Sequence, residues 1–274
     1  MNVPEFLNHL VAELEVNPGL RSYYRLLENP SRFHWRKAYL EQRLLFVERQ
    51  LGTTPKTILD VGCGYGSTAI FACLNGHRVK GTTLEFYFEQ IQRRRAYWER
   101  FGDLSGMEVV YENLFDGPEE AGHYDHIIVQ DTLHHLEPIG EACARLFTKL
   151  KPGGSLIVVE ENGCHPFIRA KNFATRGFNR VGEIWDERLG KMIPFGNENA
   201  RGLRKWTRIL DKAGLRVDPA SVEFVRMLPP FCFTAENYDH RIRSEQMLNQ
   251  NRLFAHYLFF GFNFVAVKPT LSES

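Results

Sequence analysis

A chain of 274 residues with 43% apolar and 24% charged residues can bury a sizeable core, and this composition excludes intrinsic disorder. A formal net charge of +1 gives no whole-molecule reason to expect nucleic acid or a charged membrane as partner. The five cysteines, Cys63, Cys73, Cys143, Cys164 and Cys232, form no CxxC pair and leave one over in any disulfide scheme, which predicts a reducing, cytoplasmic location and no metal site.

Met1 to Val16 holds Glu5, Glu13 and Glu15 and lacks a basic start followed by an apolar run, so no signal peptide is predicted. Leu7, Leu10, Val11 and Leu14, then Tyr39, Leu40, Arg43, Leu44 and Val47, recur at helical spacing until Gly52 stops the run. Thr57-Ile58-Leu59 reads as a buried strand feeding the turn Asp60-Val61-Gly62-Cys63-Gly64-Tyr65-Gly66, with a helix near 66–75 beyond it. Residues without a Cβ let the chain bend sharply and let a ligand lie against bare main chain. The third glycine of a dinucleotide fingerprint would fall at position 67, which is Ser67, so the spacing is Gly-x-Gly-x-Gly. Asp60 is a fixed negative charge beside that turn, unfavourable to a pyrophosphate and favourable to a cationic ammonium. S-adenosylmethionine offers that cation and carries no phosphate.

Alternating strand and helix patterns continue to residue 162, with helices near 86–101 and 138–149, and argue for a parallel sheet covered on both faces. Arg93-Arg94-Arg95 lies on the first of these helices and reads as its exposed face. Residues 163–200 show no clear periodicity. Gly163 to Arg208 holds ten Lys or Arg against four Asp or Glu, with Phe167, Phe173, Phe178, Trp185 and Phe195 among them. Trp206 to Lys212 reads as a helix stopped by Gly214, and Val222–Leu228 and Leu258–Val267 as two last strands around a polar helical insert at 232–256. Tyr257–Val267, the most apolar stretch, is too short to cross a bilayer. No internal repeat is present.

From Asp60 onward the sequence resembles the class I S-adenosylmethionine-dependent methyltransferases, in five ordered segments over about residues 55–162. They are the glycine turn, Arg78–Glu85, Met107–Phe115, Tyr124–Leu136 and the Lys151-Pro152-Gly153-Gly154 turn into Ser155–Val159. The resemblance implies an α/β fold with a seven-stranded, mostly parallel, doubly wound sheet and an antiparallel edge pair. It implies a helical lid over residues 1–54 and a methyltransferase domain over 55–274, with substrate-side insertions at 163–205 and 229–256. The implied cofactor is S-adenosyl-L-methionine, held by Asp60, Gly62, Gly64 and Gly66 at the turn. Glu85 is expected at the ribose with Thr83 in reserve, because the family's usual acidic position holds Thr83 here. Asn113 and Leu114 are expected at the adenine and Gln130, with Asp131, near the methionine end.

The methyl donor points toward the loop after the fourth strand in this family, which makes His134 and His135 the candidate bases. Glu161, His165, Tyr238 and His240 are candidates to complete the pocket. The implied acceptor is small, organic or lipid-like, able to carry a carboxylate or phosphate that the basic insertion would receive, and methylated on oxygen in preference to nitrogen. Two alternatives stand beside it. A nucleic-acid methyltransferase would usually have Asn or Asp, then Pro-Pro and an aromatic, after the fourth strand, where this chain has Gln130-Asp131-Thr132-Leu133; Leu228-Pro229-Pro230-Phe231 lies too late. A protein that binds the cofactor without turnover is the other. The cyclopropane fatty acid synthases share the pattern Gly81 to Leu84 but have Glu where this chain has His134.

Overall fold

Helices α1 (Val3–Val16), α2 (Pro18–Tyr24) and α3 (Phe33–Leu51) open the chain, α1 and α2 each capped by an asparagine, Asn2 and Asn17, that accepts from the backbone of the first turn. The apolar stripe of α1, Val3, Phe6, Leu7, Leu10 and Leu14, is fully buried, with Phe6 packed on Phe71 and Trp98. At about 1.5–3 kcal/mol for each such side chain before entropy is counted, burial of this stripe anchors α1 in the core. The computed structural model describes residues 1–84, 86–249 and 252–270, so Glu85 lies outside the described residues.

Strand β1 (Thr57–Val61) has no solvent face, as the middle of a parallel sheet requires. Helix α4 (Ser67–Leu74) returns the chain to β2 (Arg78–Thr83), and α5 (Gln90–Trp98) to β3 (Met107–Tyr111), both added in parallel on one side of β1. On the other side β4 (Tyr124–Gln130) pairs with β1 and, after α6 (Ile139–Lys149), β5 (Leu150–Glu161) pairs with β4. Side chains alternate between two cores. Ile58, Ile128 and Ile157 enter the layer shared with α1, α3, α4 and α5, whereas Leu59, Ile127 and Leu156 enter the layer shared with α6.

The insertion read as aperiodic is ordered: α7 (Pro166–Arg176) is followed by a two-stranded hairpin of β6 (Val181–Asp186) and β7 (Lys191–Gly196). Its periodicity was invisible because Val181, Glu183, Ile184 and Trp185 are all exposed, leaving no polar and apolar alternation. After α8 (Leu203–Lys212) come β8 (Arg216–Val217), β9 (Glu223–Val225), α9 (Tyr238–Leu248), α10 (Arg252–Leu258) and β10 (Gly261–Val267). The sheet runs β3-β2-β1-β4-β5-β10-β8 with β9 also on β10, one strand more among the described residues than the seven expected. Strands β8 and β9 are short pieces sharing one antiparallel edge, which a single strand at Val222–Leu228 had stood for. Among the described residues no helix is long and apolar enough to cross a membrane.

Arg94 corrects the reading of its basic run. It is 1% exposed, and its guanidinium donates twice to Glu13 of α1, at 2.9 and 2.7 Å, and to the Tyr65 carbonyl and Ser67 Oγ of the glycine turn. Trp98 Nε1 donates to the same Glu13 carboxylate. The first helix of the chain is therefore tied directly to the turn after β1.

Candidate functional site

The chain leaves β1 toward β2 on one side and enters β4 on the other, so strand order reverses at the carboxyl ends of β1 and β4, where open α/β sheets bind ligands. A cavity of about 1090 Å³ opens there. Gly62, Gly64 and Gly66 all hold left-handed φ angles of 67°, 56° and 74°. At Gly62 an added Cβ would stand 2.4 Å from the side chain of Thr132, so the first glycine is required by conformation and by space.

Asp60 is 2% exposed and its Oδ2 has no hydrogen-bond partner among the described residues; burial pushes its carboxyl up to about 7. Asp60 is therefore not the fixed charge expected from the sequence, but an orphaned buried acid beside a bare backbone turn gives up its proton to pair with a cationic ammonium, and on this ground the residues fit a sulfonium nucleoside. Thr83, Asn113, Leu114 and Gln130 all line the same cavity. Gln130 donates to Thr68 Oγ1 at 2.8 Å. Asn113 Oδ1 accepts from the Phe115 backbone N–H at 3.2 Å, which fixes the loop after β3.

Beyond the turn the cavity widens into a chamber that the sequence had not located. Tyr39 and Arg43, four apart on α3 and so on one face, line it together with Trp35 and with Arg226, just past β9. Arg43 meets Asp131 at 2.7 Å; burial alone would raise the Asp131 carboxyl, but Arg43 and then His134 hold it below the usual carboxylate range. Arg226 has a left-handed φ of 64° and its guanidinium lies 4.3 Å from the centre of the Tyr39 ring and 5.5 Å from that of Phe260. Its Nε is buried without a partner among the described residues, and its Nη2 stands 4.0 Å from Glu161. None of the insertion's ten Lys or Arg lines the chamber, which receives instead Ile184, Trp185, Pro194 and Phe195 from the β6–β7 hairpin. Of the other candidates, Glu161 lines the cavity, while His165 caps α7 and stacks on Phe260, and His240 is exposed. Tyr238 does not line it, and its hydroxyl is buried without a hydrogen-bond partner among the described residues.

The two histidines part company. His135 lines the chamber and its Nδ1 donates to the Gly196 carbonyl at 2.8 Å, which leaves Nε2 as the acceptor. His134 is absent from the lining; it is 4% exposed, with Nδ1 on Glu160 at 2.6 Å. Burial alone would lower its pKa, but the Glu160 carboxylate outweighs it and lifts the imidazole to about 9. A histidine raised this way stabilises the fold fully below its ordinary value of 6.5, and that contribution is lost as pH rises through 9. Unfolding free energies of wild type and H134Q, read by denaturant titration, should therefore converge between pH 6.5 and 9, the difference shrinking by about 1–3 kcal/mol; a gap independent of pH would show that the pair carries no proton. One ligand atom each of His134, His135 and Glu198 falls within 4.8 Å of the others.

A family model described as a methyltransferase domain matches residues 32–220. The chain is 30% identical over 159 residues to ubiquinone biosynthesis O-methyltransferase of Yersinia pestis, a match covering 57% of this chain and 58% of that protein. It is 28% identical over 163 residues to squalene methyltransferase 2 of Botryococcus braunii, covering 59% of this chain and 39% of that one, so it spans less than two thirds of either relative. The structure of an S-adenosylmethionine-dependent methyltransferase from Mesorhizobium loti superposes with a TM-score of 0.52 at 17% identity, over 88% of this chain and 99% of the other, a likeness of fold alone.

Proposed function

This chain belongs to the class I S-adenosylmethionine-dependent methyltransferases, and on that premise we propose that it methylates a small organic or lipid-like acceptor bearing an anionic group, on oxygen in preference to nitrogen. Its cofactor is S-adenosylmethionine, whose sulfonium supplies an electrophilic methyl group when bound. The observation that carries the reading is a single cavity touching both the glycine turn and the aromatic chamber of Tyr39, Trp185 and Phe195.

In this reading Asp60, Thr83, Asn113, Leu114, Gln130 and the turn glycines hold the cofactor. Arg226, stacked on Tyr39 and with an unmet Nε, receives the carboxylate or phosphate of the acceptor. His135 takes the acceptor's proton on Nε2, its other nitrogen being fixed by Gly196. A hydroxyl needs that proton removed to become a good nucleophile, which is why oxygen is preferred. Holding the acceptor in line supplies most of the rate. The five free cysteines support a cytoplasmic location.

The test is transfer of labelled methyl from S-adenosylmethionine to a hydroxylated aromatic acid, to squalene and to an oligonucleotide. The phenolic acid should be labelled, and R226Q should raise its KM roughly 10- to 100-fold, the loss of one charge-assisted hydrogen bond, with affinity for S-adenosylhomocysteine unchanged. Labelling of the oligonucleotide alone, or of nothing, would overturn the reading.

A further inference from the structure

The insertion carries a surface that methyl transfer does not use. Phe178 is 89% exposed, Phe167 64%, Phe173 52% and Val181 53%, and the rings of Phe173 and Phe178 meet edge to face at 5.3 Å. Phe167, Ala170, Phe173 and Ala174 recur along α7 at spacings of three and four, all exposed. Water-exposed aromatics gathered in this way mark an interaction surface, since single exposed apolar residues are ordinary but clustered ones are not.

A second cavity, of about 400 Å³, lies under the same helix, and Arg169, Arg176 and Arg180 line it with Phe173 and Asn172. Two polar atoms of its lining residues are buried without partners among the described residues: Arg176 Nε, a donor, and Asn172 Oδ1, an acceptor on a side chain only 3% exposed. Like charges held around a concave site with an unmet donor call for an anion, and the unmet acceptor calls for a hydroxyl or ammonium beside it. A phosphate ester bearing a hydroxylated head supplies both. From Pro166 to Gly196, α7 and the hairpin carry six Lys or Arg against three Asp or Glu, and Arg169, Arg176 and Arg180 on the α7 side complement an anionic surface. Aromatic residues interleaved with arginine suit the boundary between headgroups and acyl chains better than a protein partner.

We propose that α7 and the hairpin after it dock the protein on an anionic phospholipid surface, with the Arg169, Arg176 and Arg180 cavity taking a phosphate-bearing headgroup. Ile184 and Trp185 are each 57% exposed and also line the large chamber, so the docking face runs up to its rim. That continuity rests on the methyl-transfer reading for what would enter; the docking itself does not.

The experiment is cosedimentation of the full chain with vesicles of phosphatidylcholine alone and of phosphatidylcholine mixed with phosphatidylglycerol, with calorimetry for S-adenosylhomocysteine in parallel. The mixed vesicles should capture the protein in a salt-sensitive way and the neutral ones should not. R176Q/R180Q should weaken capture roughly 30-fold, and F167S/F173S/F178S roughly 100-fold or more, with nucleoside affinity intact. Equal capture by both vesicles, capture by neither, no response to the variants, or inorganic phosphate competing as well as vesicles would overturn docking. Vesicle binding without nucleoside binding would overturn the methyl-transfer reading and leave docking standing.

Discussion

Gly62→Val should cost at least about 100-fold in affinity for S-adenosylhomocysteine, read by calorimetry, because it imposes both a disfavoured backbone angle and a clash. The angle is +67°, and the new Cβ would meet Thr132 at 2.4 Å. Thr132 cannot simply yield: its hydroxyl donates to the Gln130 carbonyl at 2.9 Å and its own carbonyl accepts from the His135 N–H. The clash therefore propagates into the loop that carries His135. Gly52→Ala is the control, since φ there is +63° but nothing lies within 4 Å. With ψ at −162° the backbone there suits only glycine, so this variant should lose about 1–3 kcal/mol of stability and no affinity. Unchanged binding by the Gly62 variant would mean that the turn does not cradle the cofactor.

Glu13→Gln should destabilise the fold by about 3–5 kcal/mol, since it strands the Arg94 charge where its side chain has no exposure. For a chain of this size that corresponds to a melting point lower by roughly 10 °C. The paired substitution E13L/R94M should recover most of the loss, because no charge is then left buried. Arg94→Met alone should weaken S-adenosylhomocysteine binding as well, since it also removes the donor to the Tyr65 carbonyl and Ser67. If the double variant is as unstable as Glu13→Gln, packing and not charge is the source of the effect.

The readable parts of the fold were those whose signal is local. Apolar runs such as Thr57–Leu59 and Ile127–Val129, glycines at fixed offsets and the Lys151–Gly154 turn each describe their own surroundings. Burial of Arg94 depends on Glu13, 81 positions away, and a run of three arginines on a helix gives no sign of such a partner. Arg226 was missed for a similar reason, as one basic residue near an apolar strand end whose stacking partners Tyr39 and Phe260 come from distant segments. The spacing of Tyr39 and Arg43 had marked a helix, and only the tertiary structure shows which face of it meets the chamber. His134 and His135 are neighbours in sequence and identical in type, so nothing short of geometry separates the one held by Glu160 from the one beside the chamber.

Helix α3 is rooted at one end and reactive at the other: Leu44, Phe46, Val47 and Leu51 are buried, while Trp35, Tyr39 and Arg43 face the ligand space. Such a rod cannot lift away whole without uncovering its anchored half. Local opening of this segment should therefore be confined to the stretch between α2 and the first turns of α3, where amide exchange is expected to run faster than over Leu44–Leu51.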